Sequence, residues 1–552
     1  IELDKRKAAI LESIESQGKL TQELRQKIAQ VDSLTVLEDI YLPFRPKRRT
    51  RASIAKEKGL EPLAKKIFEQ KPFALTDEAS RYIDAVKDLP TSEAVLAGAR
   101  DIIAEWVSED LMAREELRAL YHQEAVISTR LVKGKELEGI KFKDYFQWHE
   151  IGRKAPSHRI LAARRGEKEK ILMMNVAPPE EKAVAILVRR FIKGNTDLAT
   201  QVQLALRDSY ERLLSPSLGT EYRLSLKQKA DETAINIFKN NLSQLLMSPP
   251  LGSKPVLAID PGIRTGCKLV CINAQGSLVY DAVIYIFGSV EQKMKAQEIV
   301  LAAINNYTPS VIAIGNGTGS KETEQFIRTL SLPAGLKTVV VSESGASVYS
   351  ASEAAREEFP DYDVTVRGAV SIGRRLCDPL AELVKIDPKA IGVGQYQHDV
   401  DQKRLQENLD DVVMSCVNQV GVELNTASKH LLTYVSGLGP SRAQAIVDYR
   451  RENGSFKSRD ELPAIKGLSA KAIEQAAGFL RINNGVNPLD ATGVHPESYG
   501  IVARMAKDLS CNIKDLLRSE RVKSLDLKKY ITPEAGIPTL ALIIDELEKP
   551  GR

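Results

Sequence analysis

The sequence predicts a multidomain, mainly α protein with one mixed α/β domain in its middle and two short helical hairpins after it. Three observations carry this. Apolar residues recur every three to four positions through residues 1–250. At Lys254 the period shortens to that of buried strands. Between 431 and 485, glycines punctuate pairs of short helical segments.

A chain of 552 residues is long enough for three or four domains and needs no disulfide or metal to hold a core. With 43% hydrophobic and 27% charged residues, wholesale disorder is excluded. The 78 Lys and Arg nearly balance 73 Asp and Glu. A net charge of +5 excludes a histone-like polycation, so any polyanion must be met by local basic surface. Five cysteines (267, 271, 377, 416 and 511) form no CxxC pair, and six scattered histidines form no zinc-ligand pattern. No apolar run reaches the ~18 residues of a membrane span and no signal peptide opens the chain, so the cytoplasm is the expected compartment and no membrane partner is expected. The chain starts at Ile1 within a helical pattern (Lys5 to Glu15), which reads as part of a longer protein.

Residues 1–253 are expected to be helical, with breaks at Gly18, Pro90, Pro178–Pro179 and Pro216. Thr91 to Gln123 reads as one helix capped by Thr91, and Glu221 to Met247 as a second long one, stopped by Pro249–Pro250. Residues 254–388 form the α/β domain. Its strands are Pro255–Asp260, Cys267–Ile272, Leu278–Ile286, Val311–Ile314 and Thr338–Val341, the second and third joined by the turn Asn273–Gly276. Residues 389–430 connect, with helical character from about Lys403 to Leu432. Tandem hairpins fill 431–485 and a small helical domain fills 486–552.

Three carboxylates stand out. Asp260 ends an apolar strand before Pro261–Gly262, Glu343 follows the strand ending at Val341, and Asp378 precedes Pro379 at a helix start. Acids delivered at strand ends and a helix start can hold two divalent cations, Mg²⁺ or Mn²⁺, for phosphodiester cleavage. The same residues also serve as an ordinary turn aspartate and a helix cap. Nearby Arg264, Arg374 and Arg375 can contact phosphate or neutralise the acids.

The hairpin Leu432 to Val447 contains Gly437-Leu-Gly439-Pro-Ser441-Arg442. Glycines allow a tight turn, and the amides opening the following helix face an anion, with Arg442 one turn further on. The second hairpin keeps Lys466, Gly467 and Lys471 but has Ser469 where the first has Gly439. Such contacts read phosphate, not bases. Arg45, Lys47, Arg48, Arg49 and Arg51 form a proline-flanked basic segment that suits a phosphate-binding strap or a solvated loop. No phosphate-binding loop of the ATPase type is present.

Segments AIDPGIRTG (258–266), SESGASVYSASEAA (342–355) and GAVSIGRRLCDPLAELVKIDP (368–388) resemble the YqgF branch of RNase H-like, RuvC-related nucleases. The resemblance implies an acidic site of Asp260, Glu343 and Asp378. Gly315 stands where RuvC resolvases carry a glutamate, an acid that YqgF proteins also lack. The tandem hairpins resemble helix–hairpin–helix motifs. With YLPFRPKRRTRASIAKEKGLEPLA (41–64) before them and NPLDATGVHPESY (487–499) after, the order of parts resembles the bacterial Tex family over nearly the whole chain. That resemblance implies a transcription accessory scaffold that binds RNA or DNA with little sequence preference and needs no cofactor to bind. It also implies partners in the transcription machinery, RNA polymerase among them, and further segments beyond both ends, including an OB-fold RNA-binding domain of the ribosomal S-one type. The alternative is a YqgF-type nuclease dependent on Mg²⁺ or Mn²⁺.

Overall fold

The computed structural model describes residues 2–46 and 49–549, and divides into two compact units, 1–234 and 235–552. The division falls within one 32-residue helix, Ser215–Leu246.

The first unit is helical apart from one insertion. Its opening helices bury Ile10, Ile14, Ile28 and Leu37 in a common core. The expected helix 91–123 is two helices, Ser92–Ser108 and Leu111–Glu124. The break follows from local chemistry: Asp110 accepts a hydrogen bond from the Ala113 amide, which starts a new helix. Pro216 does not break the chain. A π-helical turn, Ser209–Leu214, precedes it, and the Ser215 amide bonds to the Tyr210 carbonyl five residues back. A widened turn accommodates a residue that has no N–H to give.

The expectation of an almost entirely helical first 250 residues fails between 126 and 177. Here β1 (Val126–Leu131), β2 (His149–Ile151) and β3 (Leu172–Ala177) form an antiparallel sheet in the order β2-β1-β3. Alternation is visible in hindsight: Ile127 and Thr129 on β1, and Leu172, Met174 and Val176 on β3, are buried, while Ser128, Arg130, Met173 and Asn175 between and beside them are not. The helix Ser157–Lys168 connects β2 to β3.

The second unit is built around a five-stranded sheet of β4 (Val256–Asp260), β5 (Cys267–Ile272), β6 (Leu278–Ile284), β7 (Val311–Gly315) and β8 (Lys337–Val341). Its order is β6-β5-β4-β7-β8. Pairs β4–β5 and β5–β6 are antiparallel, whereas β4–β7 and β7–β8 are parallel. Hairpins join the first three strands, and helices Val290–Tyr307 and Ser320–Arg328 make the crossovers. Both faces are covered. Leu257 and Ile259 pack with Val300 and Ile304, while Val256 and Ala258 pack with Ala369, Val370 and Ile372 of a closing helix, Val364–Cys377.

Beyond the sheet, the expected helix from 403 to 432 ends at Val420. Gly421, at φ +78°, turns the chain into the two-residue β9 (Val422–Glu423), which pairs in parallel with β10 (Leu480–Arg481). This ladder brackets the hairpin region. The last segment has its own core, with Val502, Met505, Leu540 and Leu547 fully buried. Among the described residues, no helix is long and apolar enough to cross a membrane.

Candidate functional site

The strand end of β4 places Asp260 beside Glu343, which lies two residues beyond β8. Burial first, and then the negative charge of Glu343, push the Asp260 carboxyl up to about 6, with Lys268 opposing. Glu343 is held by its backbone: its amide donates to Asn316 Oδ1 at 3.0 Å. A Cβ at Gly315 would lie 2.6 Å from Glu343 Oε2, and one at Gly317 would lie 1.8 Å from Oε1. The space in which a side chain on β7 would stand is therefore filled by the Glu343 carboxylate. Glycine at 315 and 317 is what lets that acid reach over the sheet end.

Arg375 fixes this turn from beneath. It is only 4% exposed, and its Nη1 donates to the carbonyls of Ser342 at 2.8 Å and Ser344 at 2.7 Å, on either side of Glu343. Burial pulls its pKa down, against the attraction of Glu382 and Glu343. Arg374 is directed elsewhere, to the Gly276 carbonyl and Glu358. Arg264 is exposed in the loop after β4.

Asp378 does not join the pair. Gly368, on the closing helix, faces Asp260, its Cβ position 3.5 Å from Oδ2. Asp378 follows ten residues later, roughly 15 Å further along at the rise of an α-helix. There it caps the next helix by accepting the Ala381 amide at 3.0 Å, and it lines a groove with Gly276, at the opposite sheet end. Where a third acid would approach Asp260, the helix carries glycine. The two-cation arrangement needs three converging acids, and the residues present do not fit it. Among the described residues, no group of three His, Cys, Asp or Glu is arranged to hold a metal ion.

The hairpin region is organised around two glycine turns. In the first, helix Lys429–Thr433 is followed by a bend and then by helix Gly439–Asn453. Gly437 and Gly439 adopt φ of +84° and +70°, a region costly for other residues. Their reasons differ. A Cβ on Gly437 would press on the second hairpin, 2.8 Å from Gln475 Cβ and 3.0 Å from the Ala472 carbonyl, whereas one on Gly439 would meet nothing within 4 Å. Gly437 is needed for packing, and Gly439 keeps an open approach to the helix amides beside exposed Pro440 and Ser441. Arg442 Nη1 donates to the Gly437 carbonyl at 2.8 Å, so part of its guanidinium closes its own turn.

The second turn has Gly467 at φ +91° in open space, and Ser469 caps helix Ala470–Ala476 by accepting the Ala472 amide at 3.3 Å. Lys466 and Lys471 flank it, both exposed. Gly439 and Gly467 therefore have open space about them, whereas Gly437 and buried Leu438 are packed within the hairpin region. Of the basic segment, Arg45, Arg49 and Arg51 are exposed; Arg49 pairs with Glu57 at 3.3 Å, and Arg51 opens a helix capped by Thr50. Lys47 and Arg48 lie outside the described residues.

A mixed five-stranded sheet with acids at its strand ends, followed in the chain by paired helix–hairpin–helix turns, defines the class of multidomain protein. Comparison with known families narrows it. Residues 254–377 match the Tex protein YqgF-like domain and 70–238 the Tex central region. Residues 417–481 match a helix–hairpin–helix motif, and 487–552 an HHH domain. Aligned over its whole length, the chain is 46% identical to the transcriptional accessory protein Tex of Neisseria gonorrhoeae and 44% identical to protein YhgF of Escherichia coli, spanning 73% of each. It is likewise 44% identical to YdcI of Bacillus subtilis, spanning 78% of it. The chain belongs to the Tex family.

Proposed function

We propose that this protein is a non-enzymatic transcription accessory factor that grips the phosphate backbone of RNA or DNA with little sequence preference. One observation carries the reading. Two glycine turns stand in tandem before helix starts, with open space about Gly439 and Gly467 and with Lys466 and Lys471 exposed beside the second. Amide donors and a positive helix end favour a phosphate, and lysines act on it as point charges. Contacts of this kind carry no base information. The similarity to a protein named transcriptional accessory protein Tex supports the cellular setting.

The experiment is a salt titration of binding to duplex and single-stranded oligonucleotides, followed by fluorescence anisotropy. Lys466→Ala/Lys471→Ala is expected to weaken duplex binding about tenfold and to reduce the salt slope by about 2. Unaltered affinity and slope would remove the hairpins from the contact. In the same oligonucleotides, incubation with Mg²⁺ or Mn²⁺ is expected to yield no cleavage, because only Asp260 and Glu343 converge. Cleavage abolished by Asp260→Asn would establish the nuclease instead.

A further inference from the structure

The sheet that interrupts the helical first unit leaves one face open. Register settles which residues share it: Ser128 pairs with His149 on one side and Asn175 on the other, and Arg130 pairs with Met173. The opposite face, carrying Ile127, Thr129, Met174 and Val176, is buried. On the open face Arg130, His149 and Asn175 are exposed, and Met173 is 49% exposed. These side chains line a concavity of about 470 Å³. That is within the range of small-ligand sites and is roomy enough for an unstacked nucleobase.

Charge says what fits it. Residues 126–175 hold twelve Lys and Arg against six Asp and Glu, a net of +6, whereas the whole chain carries +5. The rest of the molecule is thus about neutral, and the excess lies within this segment, partly on the open-face side and partly on the helix Ser157–Lys168, whose Gly166 packs against Leu172 of the buried face. Several of its cations are uncommitted. Among the described residues, Arg130, Lys133 and Lys143, and the Arg153–Lys154 pair following β2, make no ion pair, although neighbours such as Lys141 and Arg159 do. An imidazole, a guanidinium plane and a thioether on a flat face offer stacking and apolar contact to bases, and Ser128 and Asn175 offer hydrogen bonds to base edges or a 2′-hydroxyl.

We propose that the open face of the β2-β1-β3 sheet binds single-stranded nucleic acid, with Arg130 and His149 contacting unstacked bases and the surrounding lysines and arginines following the backbone. This rests on the nucleic-acid-binding reading above but names a separate surface with a different substrate form. Bases in a duplex are stacked and paired, and cannot enter a one-base concavity; a single strand can.

The test compares Arg130→Ala/His149→Ala with Lys466→Ala/Lys471→Ala and the unmodified chain. Probes are labelled twelve-residue oligouridylate, its oligothymidylate counterpart and a duplex of mixed sequence. The sheet variant is expected to bind the single strands about tenfold more weakly, the size of one lost base stack, and the duplex as before. Its melting temperature should be unchanged, since both side chains are exposed. Photocrosslinking of a 4-thiouridine-substituted strand should label peptides containing β1 or β3. A greater loss for oligouridylate than for oligothymidylate would assign the site to RNA, and equal losses to either strand. Single-strand affinity retained in the sheet variant but lost in the hairpin variant would overturn the sheet site and leave the hairpins standing. If the unmodified chain binds none of the three probes, the broader reading falls and this one with it.

Discussion

The two principal sheets of the molecule solve the problem of exposed backbone in opposite ways. The five-stranded sheet of the second unit has helices on both faces, so its central strands β4 and β7 are nearly continuous apolar runs and chemistry is confined to their ends. Asp260 and Glu343 sit there, at the carboxyl edge. The three-stranded sheet of the first unit is antiparallel and covered on one face only. Its exposed residues are therefore available along the strands and not merely at their tips. A buried sheet can offer a point-like site, whereas a half-covered one offers a surface. In this protein the point-like site holds two of the expected three acids, and the surface carries Arg130 and His149 exposed along its strands.

Substitutions sharpen that contrast, beginning with the largest expected effect. Leu257→Ala removes a fully buried side chain from β4 and should cost about 3 kcal/mol in denaturant unfolding, through lost transfer energy and the cavity left behind. A cost under 1 kcal/mol would mean that the helices over that face do not pack as described.

Asp260→Asn comes next and changes with pH. The folded carboxyl, at about 6, lies above its ordinary value of 3.8, so between those values the native state holds the proton more tightly than the unfolded chain does. Stability therefore falls as pH rises through that window, and the ionised acid is a liability above it. The Asn variant should be more stable by about 2 kcal/mol at pH 8, allowing for partial exposure, and equal to the parent below pH 4. Thermal melts across pH 3.5–8 read this directly, and a gap independent of pH would contradict the burial and charge assigned to Asp260.

Smallest is Met173→Ala on the open face, expected within about 0.5 kcal/mol of the parent. A large loss would show that this face is covered after all.

Much of the second unit was legible because its signals are local. The change of period at Lys254 marks where strands begin, and Asn273–Gly276 marks a hairpin turn that the structure places between β5 and β6. Glycines at 437 and 467 mark bends that demand positive φ. The first unit's sheet was missed for an equally local reason. AVISTRLV and ILMMNVA are short apolar runs set among helical ones, and length and period cannot separate such runs from helix. Asp378 caps the helix start expected of it but lies away from Asp260, because a motif gives the spacing of an acid along the chain and not how far a fourteen-residue helix carries it from the strand end.

By itself, then, the sequence determined most of the parts: that helices dominate, where the mixed sheet begins, and which glycines must turn, because periodicity and backbone sterics act over a few residues. Only tertiary structure decided which distant residues meet. It brought Glu343 over Gly315, carried Asp378 away from Asp260, and left one sheet face open with Arg130 and His149 upon it. Strand register and helix direction are set by packing across the whole domain, which no local pattern encodes.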